Sequence, residues 1–289
     1  HATSPKLIEA ASRGVMMAGG IPFVFPTISL HESFSYPSSM FLRNLMSMDT
    51  EEMMKSLPLD ATLLIGGCDK TVPAQLMGAI SADVPTVSVV VGPMLTGNHE
   101  GERLGACTDC RRLWGEKRAN TISDAELARA QAKLMPTHGT CMVMGTASTM
   151  ACISEAMGFM LPGGASIPAV HSERLHHAEL SGQRAVEMAK TGAPLPTSLM
   201  TPASLKNASI TLQALGGSTN AVIHLSAIAG RAGLTADLEE FDAIGRETPI
   251  LADLKPVGRV YMQDFHKAGG LPALLRELVR GGVPFDTDA

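Results

Sequence analysis

The chain has 289 residues, of which 45% are hydrophobic and 18% charged, and its formal net charge is −5. This composition is typical of a globular protein with a large buried core and excludes a disordered chain. The mildly acidic balance gives no broad basic surface for nucleic acid, and no apolar run reaches the roughly 18 residues that span a bilayer.

The cysteines indicate the compartment. Five of them, an odd number, occur in a chain that opens without a secretory signal. This pattern favours a reducing environment, in which cysteines are buried small hydrophobes, metal ligands or nucleophiles. We therefore expect a cytoplasmic protein that acts on a small molecule, without nucleic-acid or membrane partners.

Short apolar runs alternate with helical patterns in the first half of the chain. A strand is predicted over residues 61–65, a helix over 73–81 and a second strand over 86–91. Each run closes at Gly or Pro, as buried strands do. Residues 96 to about 121 show no clear period and predict an irregular segment.

Helical patterns dominate the rest of the chain. Ser123 predicts an N-cap, with Glu126 completing a capping box. Amphipathic helices are predicted over 144–157 and 221–230. Near-continuous apolar strands that alternate with helices predict an α/β fold with a mainly parallel sheet, covered on both faces in a three-layer α/β/α sandwich.

The first chemical candidate is Cys68-Asp69-Lys70, which follows the strand and the turn Gly66-Gly67. A thiolate is favoured near a helix N-terminus, and Asp69 offers the hard oxygen that Mg²⁺ prefers. A cation such as Lys70 is disfavoured there. Carbamylation would turn Lys70 into an oxygen ligand. A buried cysteine beside a surface Asp–Lys pair explains the tripeptide equally well.

A second candidate is Cys141, in His138-Gly139-Thr140-Cys141 before a helix. It lies 73 positions after Cys68 (141 − 68), at another strand-to-helix junction, so the two cysteines can converge at one end of a sheet. Thiolates select iron–sulfur or zinc chemistry, whereas carboxylates suit magnesium, so two different metals are indicated. The alternative is that Cys141 only packs at a helix start.

The Cys107-Thr108-Asp109-Cys110 pattern is a weaker metal signal. A CxxC motif indicates zinc when a second pair follows at suitable spacing, and the sequence has none. We interpret this segment as a substrate-covering loop. A zinc-binding interaction module remains the alternative.

Two further positions offer polar groups. Glu32 follows the apolar run 21–25 and can present a carboxylate from a strand end, or be a solvated loop residue. Gly216-Gly217-Ser218-Thr219-Asn220 precedes a helix and can bind an anion. Ser218 or Thr219 acting as an N-cap explains that motif equally well.

Taken together, these segments resemble the dihydroxy-acid dehydratase and 6-phosphogluconate dehydratase family. The resembling segments, in the family's order, are 14–20, 27–29, 68–78, 139–150, 161–165 and 214–225. The stretch His31-Glu-Ser-Phe-Ser-Tyr-Pro-Ser-Ser-Met40 resembles the sugar-acid branch, whose members dehydrate pentonates and hexonates such as arabinonate or xylonate.

The resemblance implies an iron–sulfur cluster, in this branch [2Fe–2S] more than [4Fe–4S], with Cys68 and Cys141 as two of three protein ligands. It also implies Mg²⁺ held by Glu32, Asp69 and a carbamylated Lys70, which makes Lys70 part of the catalytic site. Iron would act as a Lewis acid on the leaving 3-hydroxyl of a 2,3-dihydroxy acid. Mg²⁺ would bind the carboxylate and the 2-hydroxyl, and the product would be a 2-keto-3-deoxy acid. Ser218 and Thr219 are candidate substrate-binding residues.

The resemblance also implies what the chain lacks. The family's third cluster cysteine lies before the segment that matches His1, and its base and a further acidic ligand lie in a C-terminal β-barrel-like domain. We therefore expect residues 1–289 to form a single α/β domain, incomplete at both ends and inactive alone. The family further implies a homodimer or homotetramer. A dehydratase for branched-chain dihydroxy acids or 6-phosphogluconate is the alternative, as is a non-catalytic remnant that binds sugar acids or partner subunits.

Overall fold

The computed structural model describes residues 4–106 and 108–288, so that His1 and Cys107, which enter the sequence predictions, lie outside the described residues. The α-helices are α1 (Ser4–Met17), α2 (Arg43–Ser56), α3 (Thr71–Ala82), α4 (Thr108–Arg118), α5 (Asp124–Gln131), α6 (Thr146–Ala156), α7 (Ser172–Thr191), α8 (Pro196–Leu199), α9 (Pro202–Ala214), α10 (Asn220–Arg231), α11 (Leu238–Glu247), α12 (Met262–Lys267) and α13 (Gly270–Arg280). The strands are β1 (Thr62–Gly66), β2 (Thr86–Val90), β3 (Gly97–His99) and β4 (Glu102–Leu104), and 3-10 turns cover Glu32–Phe34 and Ser39–Leu42.

Strands β1 and β2 form a parallel pair, in register from Thr62 opposite Thr86 to Gly66 opposite Val90. All of β2 and alternate residues of β1 are buried, as their apolar sequences require. Helix α3 follows β1, while α1 and α7 pack against the strands. The predicted strand–helix–strand unit is confirmed, and with it the α/β class. The three-layer arrangement stays a prediction.

A third chain segment pairs with the residues that follow β2. Pro93 and Thr140 form a parallel bridge, in which the Thr140 N–H donates to Gly92 O at 2.8 Å and the Met94 N–H donates to Thr140 O at 2.9 Å. Gly92 has a φ of +88°, and a Cβ there would lie 2.3 Å from Ile167 O. Only glycine fits this strand exit without strain.

Helix α6 lies inside the largest hydrophobic cluster, with residues of α3, α9, α10 and α13. Almost every residue of α6 is buried, including Ser148, Thr149 and Ser154. The predicted helix over 144–157 therefore exists, but the prediction that it is amphipathic is wrong, because it is buried on all sides. The small side chains on several faces of α6 allow neighbouring elements to approach closely. Gly217 is so near this helix that a Cβ added to it would lie 2.8 Å from the Thr149 side chain.

Two other predictions are wrong. Residues 96–121 are not irregular, because β3 and β4 pair antiparallel and α4 follows. Leu113 of α4 packs with Leu104 and Leu127, so this segment has its own small core and Cys110 lies in a helix instead of a covering loop. The apolar run 21–25 is not a strand either, and its Ile21 side chain is exposed.

Helix starts follow the sequence more closely. The Ser123 side chain accepts the Glu126 N–H, as predicted. The Glu126 carboxylate does not complete a capping box, because it pairs with His99 and Arg129 instead. Within the described part of the chain, no helix combines the length and apolar character that a membrane span requires.

Candidate metal centre

Lys70 is the centre of the candidate site. Its Nζ lies 2.6 Å from Asp69 Oδ2 and 3.3 Å from Glu32 Oε2, and the residue is only 3% exposed. Burial alone would lower the pKa of Lys70, but the two carboxylates outweigh burial and raise it above its ordinary value. A buried ammonium is therefore held between two acidic groups.

Glu32 reaches this position from a 3-10 turn, not from the predicted strand end. Its Oε2 accepts the Ser39 N–H at 3.0 Å and a short hydrogen bond from the Ser39 hydroxyl. These bonds, with contributions from Ser38 and Lys70, outweigh partial burial and lower the pKa of Glu32 to about 2. The carboxylate is therefore charged, and available as an oxygen ligand, at neutral pH.

Cys68 is buried in the turn between β1 and α3. Its Sγ donates to Asp69 Oδ1 at 3.3 Å, and the Glu32 backbone N–H lies within hydrogen-bonding reach of the sulfur. Burial raises the pKa of the thiol, and the negative charge of Asp69 raises it further. The protonated thiol is thus the stable form until a metal cation favours the thiolate.

Cys141 follows the bridge between Thr140 and Pro93, whereas Cys68 follows β1. The two cysteines therefore follow segments that both hydrogen-bond to residues 91–94. The Cys141 Sγ lies 3.6 Å from Ala106 O and packs beside Met142, Val143 and Tyr261. This apolar surrounding suits a soft sulfur ligand.

The Ser218 side chain is engaged within the protein. Its Oγ lies 2.8 Å from Thr146 Oγ1 and accepts the Asn220 N–H at 3.3 Å, while the Ser218 N–H donates to Thr149 Oγ1 at 3.1 Å. These bonds join the starts of α6 and α10. Thr219 is exposed, and its side chain makes no capping hydrogen bond. The substrate-binding role of both residues stays a prediction.

His224 is a residue that sequence reasoning did not select. It is fully buried on α10, and its Nδ1 lies 2.8 Å from Arg43 Nη1. Because a guanidinium only donates, Nδ1 accepts and the proton lies on Nε2. That Nε2 has no hydrogen-bond partner among the described residues.

Burial, Arg43 and Lys70 lower the pKa of His224 to about 3, against a smaller opposing effect of Asp69. The charges of the Lys70 site therefore reach this imidazole. His224 lies in the segment 214–225, which carries the family resemblance, and this position was the feature of the sequence that could have identified it as a candidate site residue.

A cleft of about 460 Å³ opens beside the turn that carries Cys68, between segment 20–29 and β1. Its lining includes Gly67, Thr71 and Ser29, and the last two share a hydrogen bond of 2.7 Å between their hydroxyls. Glu32, Asp69 and Lys70 are not among its lining residues. The cleft thus borders the turn that carries Cys68 without enclosing the carboxylates.

The donor set fits the metals that the resemblance implies. A positive group already lies between the carboxylates of Asp69 and Glu32, which is the charge arrangement that a divalent cation requires. The ammonium of Lys70 would repel Mg²⁺, whereas a carbamate on the same nitrogen would add an oxygen ligand. Cys68 and Cys141 supply two sulfurs, fewer than the four ligands of an ordinary cluster.

Comparisons with known proteins identify the family of this chain. The profile of the dihydroxy-acid/6-phosphogluconate dehydratase N-terminal family matches residues 1–288. The chain is 50% identical over 284 residues to L-arabonate dehydratase from Azospirillum brasilense, covering 98% of this chain and 48% of that protein.

Two other relatives show the range of the family. Identity is 43% over 278 residues to L-arabinonate dehydratase from Rhizobium leguminosarum bv. trifolii, covering 96% of this chain and 48% of that protein. It is 38% over 295 residues to dihydroxy-acid dehydratase from Nitratidesulfovibrio vulgaris, covering 98% and 52%. The chain spans about half the length of the curated relatives it matches.

Proposed function

Because the chain belongs to the dihydroxy-acid/6-phosphogluconate dehydratase family, we propose that it is the metal-binding part of a hydro-lyase that removes water from a 2,3-dihydroxy sugar acid. The observation that carries the proposal is Lys70, held between Asp69 and Glu32 in the turn that also bears Cys68. The product would be a 2-keto-3-deoxy acid.

The family resemblance implies the metal ligands, and the donor chemistry of these residues supports them. Glu32, Asp69 and a carbamylated Lys70 would hold Mg²⁺, and Cys68 and Cys141 would hold an iron–sulfur cluster, [2Fe–2S] more than [4Fe–4S]. When bound, iron would supply Lewis acidity toward the leaving 3-hydroxyl, and Mg²⁺ would bind the carboxylate and the 2-hydroxyl and so ease removal of the C2 proton.

The chain's own residues prepare this site. Ser39 stabilises the ionised carboxylate of Glu32 and fixes its orientation. His224 offers a buried Nε2–H that would donate to an anionic oxygen, of the substrate or of the Lys70 carbamate. Arg43 fixes the tautomer that makes this donation possible.

The names of the relatives support a sugar acid over a branched-chain substrate. Identity is 50% and 43% to proteins named for arabonate and arabinonate, against 38% to a dihydroxy-acid dehydratase. The branched-chain dihydroxy acid, 6-phosphogluconate and binding without turnover are the competing functions.

The test is anaerobic purification of the full-length gene product, followed by absorption spectroscopy and an assay for 2-keto-3-deoxy acids. We expect a visible iron–sulfur spectrum and faster dehydration of L-arabinonate than of a branched-chain dihydroxy acid. Cys68→Ser should abolish the spectrum, and Cys110→Ser, on α4, should keep it. A Cys68→Ser protein with the wild-type spectrum would refute the cluster assignment, and a coloured protein without turnover would refute the hydro-lyase.

A further inference from the structure

Two histidines and a glutamate meet on the surface between α7 and α12. His171 occupies the N-cap position of α7, Glu173 lies in the first turn of that helix and His266 lies near the end of α12. One ligand atom of each lies within 4.8 Å of the other two. We propose that these three side chains form a binding site for a transition-metal dication such as Zn²⁺, separate from the Lys70 site.

The distances suit this ion. Glu173 Oε2 lies 3.1 Å from His266 Nε2 and 4.0 Å from His171 Nδ1. Two ligand atoms bound tetrahedrally to zinc at about 2.0–2.1 Å lie about 3.3 Å apart. The first pair already has this separation, and the second needs to close by about 0.7 Å. The side chains of His171 and Glu173 are 36% and 63% exposed, so they have room for this adjustment.

The ligand chemistry also selects such a metal. Two imidazoles and one carboxylate suit zinc and its neighbours, whereas Mg²⁺ and Ca²⁺ take oxygen ligands. His266 Nδ1 lies 3.5 Å from Ser166 Oγ, a contact that leaves Nε2 directed at Glu173. The rings of His171 and His266 meet edge to face, with centroids 5.5 Å apart.

The charge of Glu173 distinguishes this group. Among the described residues, its ion-pair partners are His171 and His266 alone, so no lysine or arginine balances its negative charge. A dication would balance it. The site is at the start of α7, where the helix dipole disfavours a cation, but this effect is weak at an exposed end and Glu173 opposes it.

A second group, with one histidine and two glutamates, serves as a comparison. His99, Glu100 and Glu126 also approach one another. There, however, Arg129 pairs with Glu126 and already balances its charge, while His99 bonds the same carboxylate at 2.7 Å. A metal would have to displace an arginine at this second group, so we assign the site to the first group only.

An ion at this site would link α12 to α7, two helices that are far apart in the sequence. The first residue of α12, Met262, donates its N–H to Met142 O at 2.9 Å, directly after Cys141. The ion would therefore stabilise the segment that supports Cys141.

The experiment uses Co²⁺ as a spectroscopic probe and Zn²⁺ as its competitor, on protein purified without added metal. We expect visible cobalt d–d absorption without a thiolate charge-transfer band, and its loss when Zn²⁺ is added. His266→Asn and Glu173→Gln should each weaken cobalt binding at least about tenfold. Zn²⁺ should also raise the Tm of the wild type but not of these variants.

The matched control is His176→Asn, which removes another exposed histidine of α7 outside the group. It should bind cobalt as the wild type does, and so should Glu126→Gln. Equal loss in the control, unchanged binding in His266→Asn, or a spectrum dominated by thiolate absorption would each overturn the assignment. Circular dichroism of every variant verifies that it folds.

Discussion

Lys70 Nζ lies 3.3 Å from Glu32 Oε2, so an ion pair joins residues that are 38 positions apart (70 − 32). The chain between them includes the two 3-10 turns, α2 and β1. The pair therefore connects the turn that bears Cys68 to a segment outside the parallel sheet. As a result, the proposed magnesium ligands Glu32 and Asp69 both contact the ammonium of Lys70.

The hydrogen bonds to Glu32 predict a pH-dependent effect of Ser39. The folded pKa of Glu32, about 2, lies below its ordinary value of 4.5, so its stabilisation is present above pH 4.5 and is lost as the pH falls toward 2. Ser39→Ala should lower the free energy of unfolding by about 1 kcal/mol at pH 7, since Glu32 is partly exposed, and by less at pH 3.

Urea unfolding of Ser39→Ala at both pH values measures this difference. Ser35→Ala is the matched control, because the Ser35 hydroxyl donates to His31 O and does not contact Glu32. A loss for Ser39→Ala that is equal at pH 7 and pH 3 would contradict the prediction.

His224 should stay neutral far below the usual histidine range. Its folded pKa of about 3 is lower than the ordinary 6.5, because burial and Arg43 disfavour the imidazolium. As the pH falls below 6.5, the unfolded chain takes up this proton first, so the folded state loses stability progressively toward pH 3. Between pH 7 and pH 4 the loss should be about 3 kcal/mol.

Urea unfolding compares the wild type with His224→Gln, which should lack this part of the acid sensitivity. His176→Gln, at an exposed position, should keep it. NMR titration provides an independent measurement, and a His224 resonance that titrates near pH 6.5 would exclude the buried neutral ring.

Arg174 should tolerate no conservative replacement. It is fully buried, and its Nη2 donates to Gly164 O and Ile167 O, both at 2.6 Å. Burial lowers its pKa to about 9 although Glu155 opposes the shift. Lysine is shorter than arginine, and its more strongly hydrated ammonium costs more to bury, so Arg174→Lys should cost about 2–3 kcal/mol of unfolding free energy.

Thermal and urea unfolding measure this cost. Arg184→Lys, on the exposed side of the same α7, should change the free energy of unfolding by less than about 0.5 kcal/mol. Equal costs for the two replacements would mean that the carbonyl contacts of Arg174 contribute nothing particular.

Gly92→Ala separates steric crowding from backbone strain. Gly92 and Gly101 have φ values of +88° and +87°, but an added Cβ meets Ile167 O at 2.3 Å at the first position and nothing within 4 Å at the second. Gly101→Ala should cost about 1 kcal/mol, and Gly92→Ala about 2–4 kcal/mol. Unfolding by urea tests this, and similar costs would show that the Ile167 carbonyl moves freely.

Much of the fold follows from local pattern. The runs 61–65 and 86–91 are continuous apolar segments closed by Gly or Pro, and both form buried parallel strands. The prediction for residues 96–121 was wrong, because the hairpin and α4 are stabilised by contacts with α5. A short window of sequence does not contain such contacts. The run 21–25 shows the same limit, since apolar composition without a pairing partner does not make a strand.

The sequence by itself determined the family, through ordered segments that the profile match confirms, and it placed Cys68 and Cys141 at strand-to-helix junctions. Tertiary structure alone decided which distant groups meet. Glu32 reaches Lys70 from a 3-10 turn, and Arg43 fixes the tautomer of His224. Local pattern reports how each segment folds, whereas contacts between segments depend on packing of the whole domain.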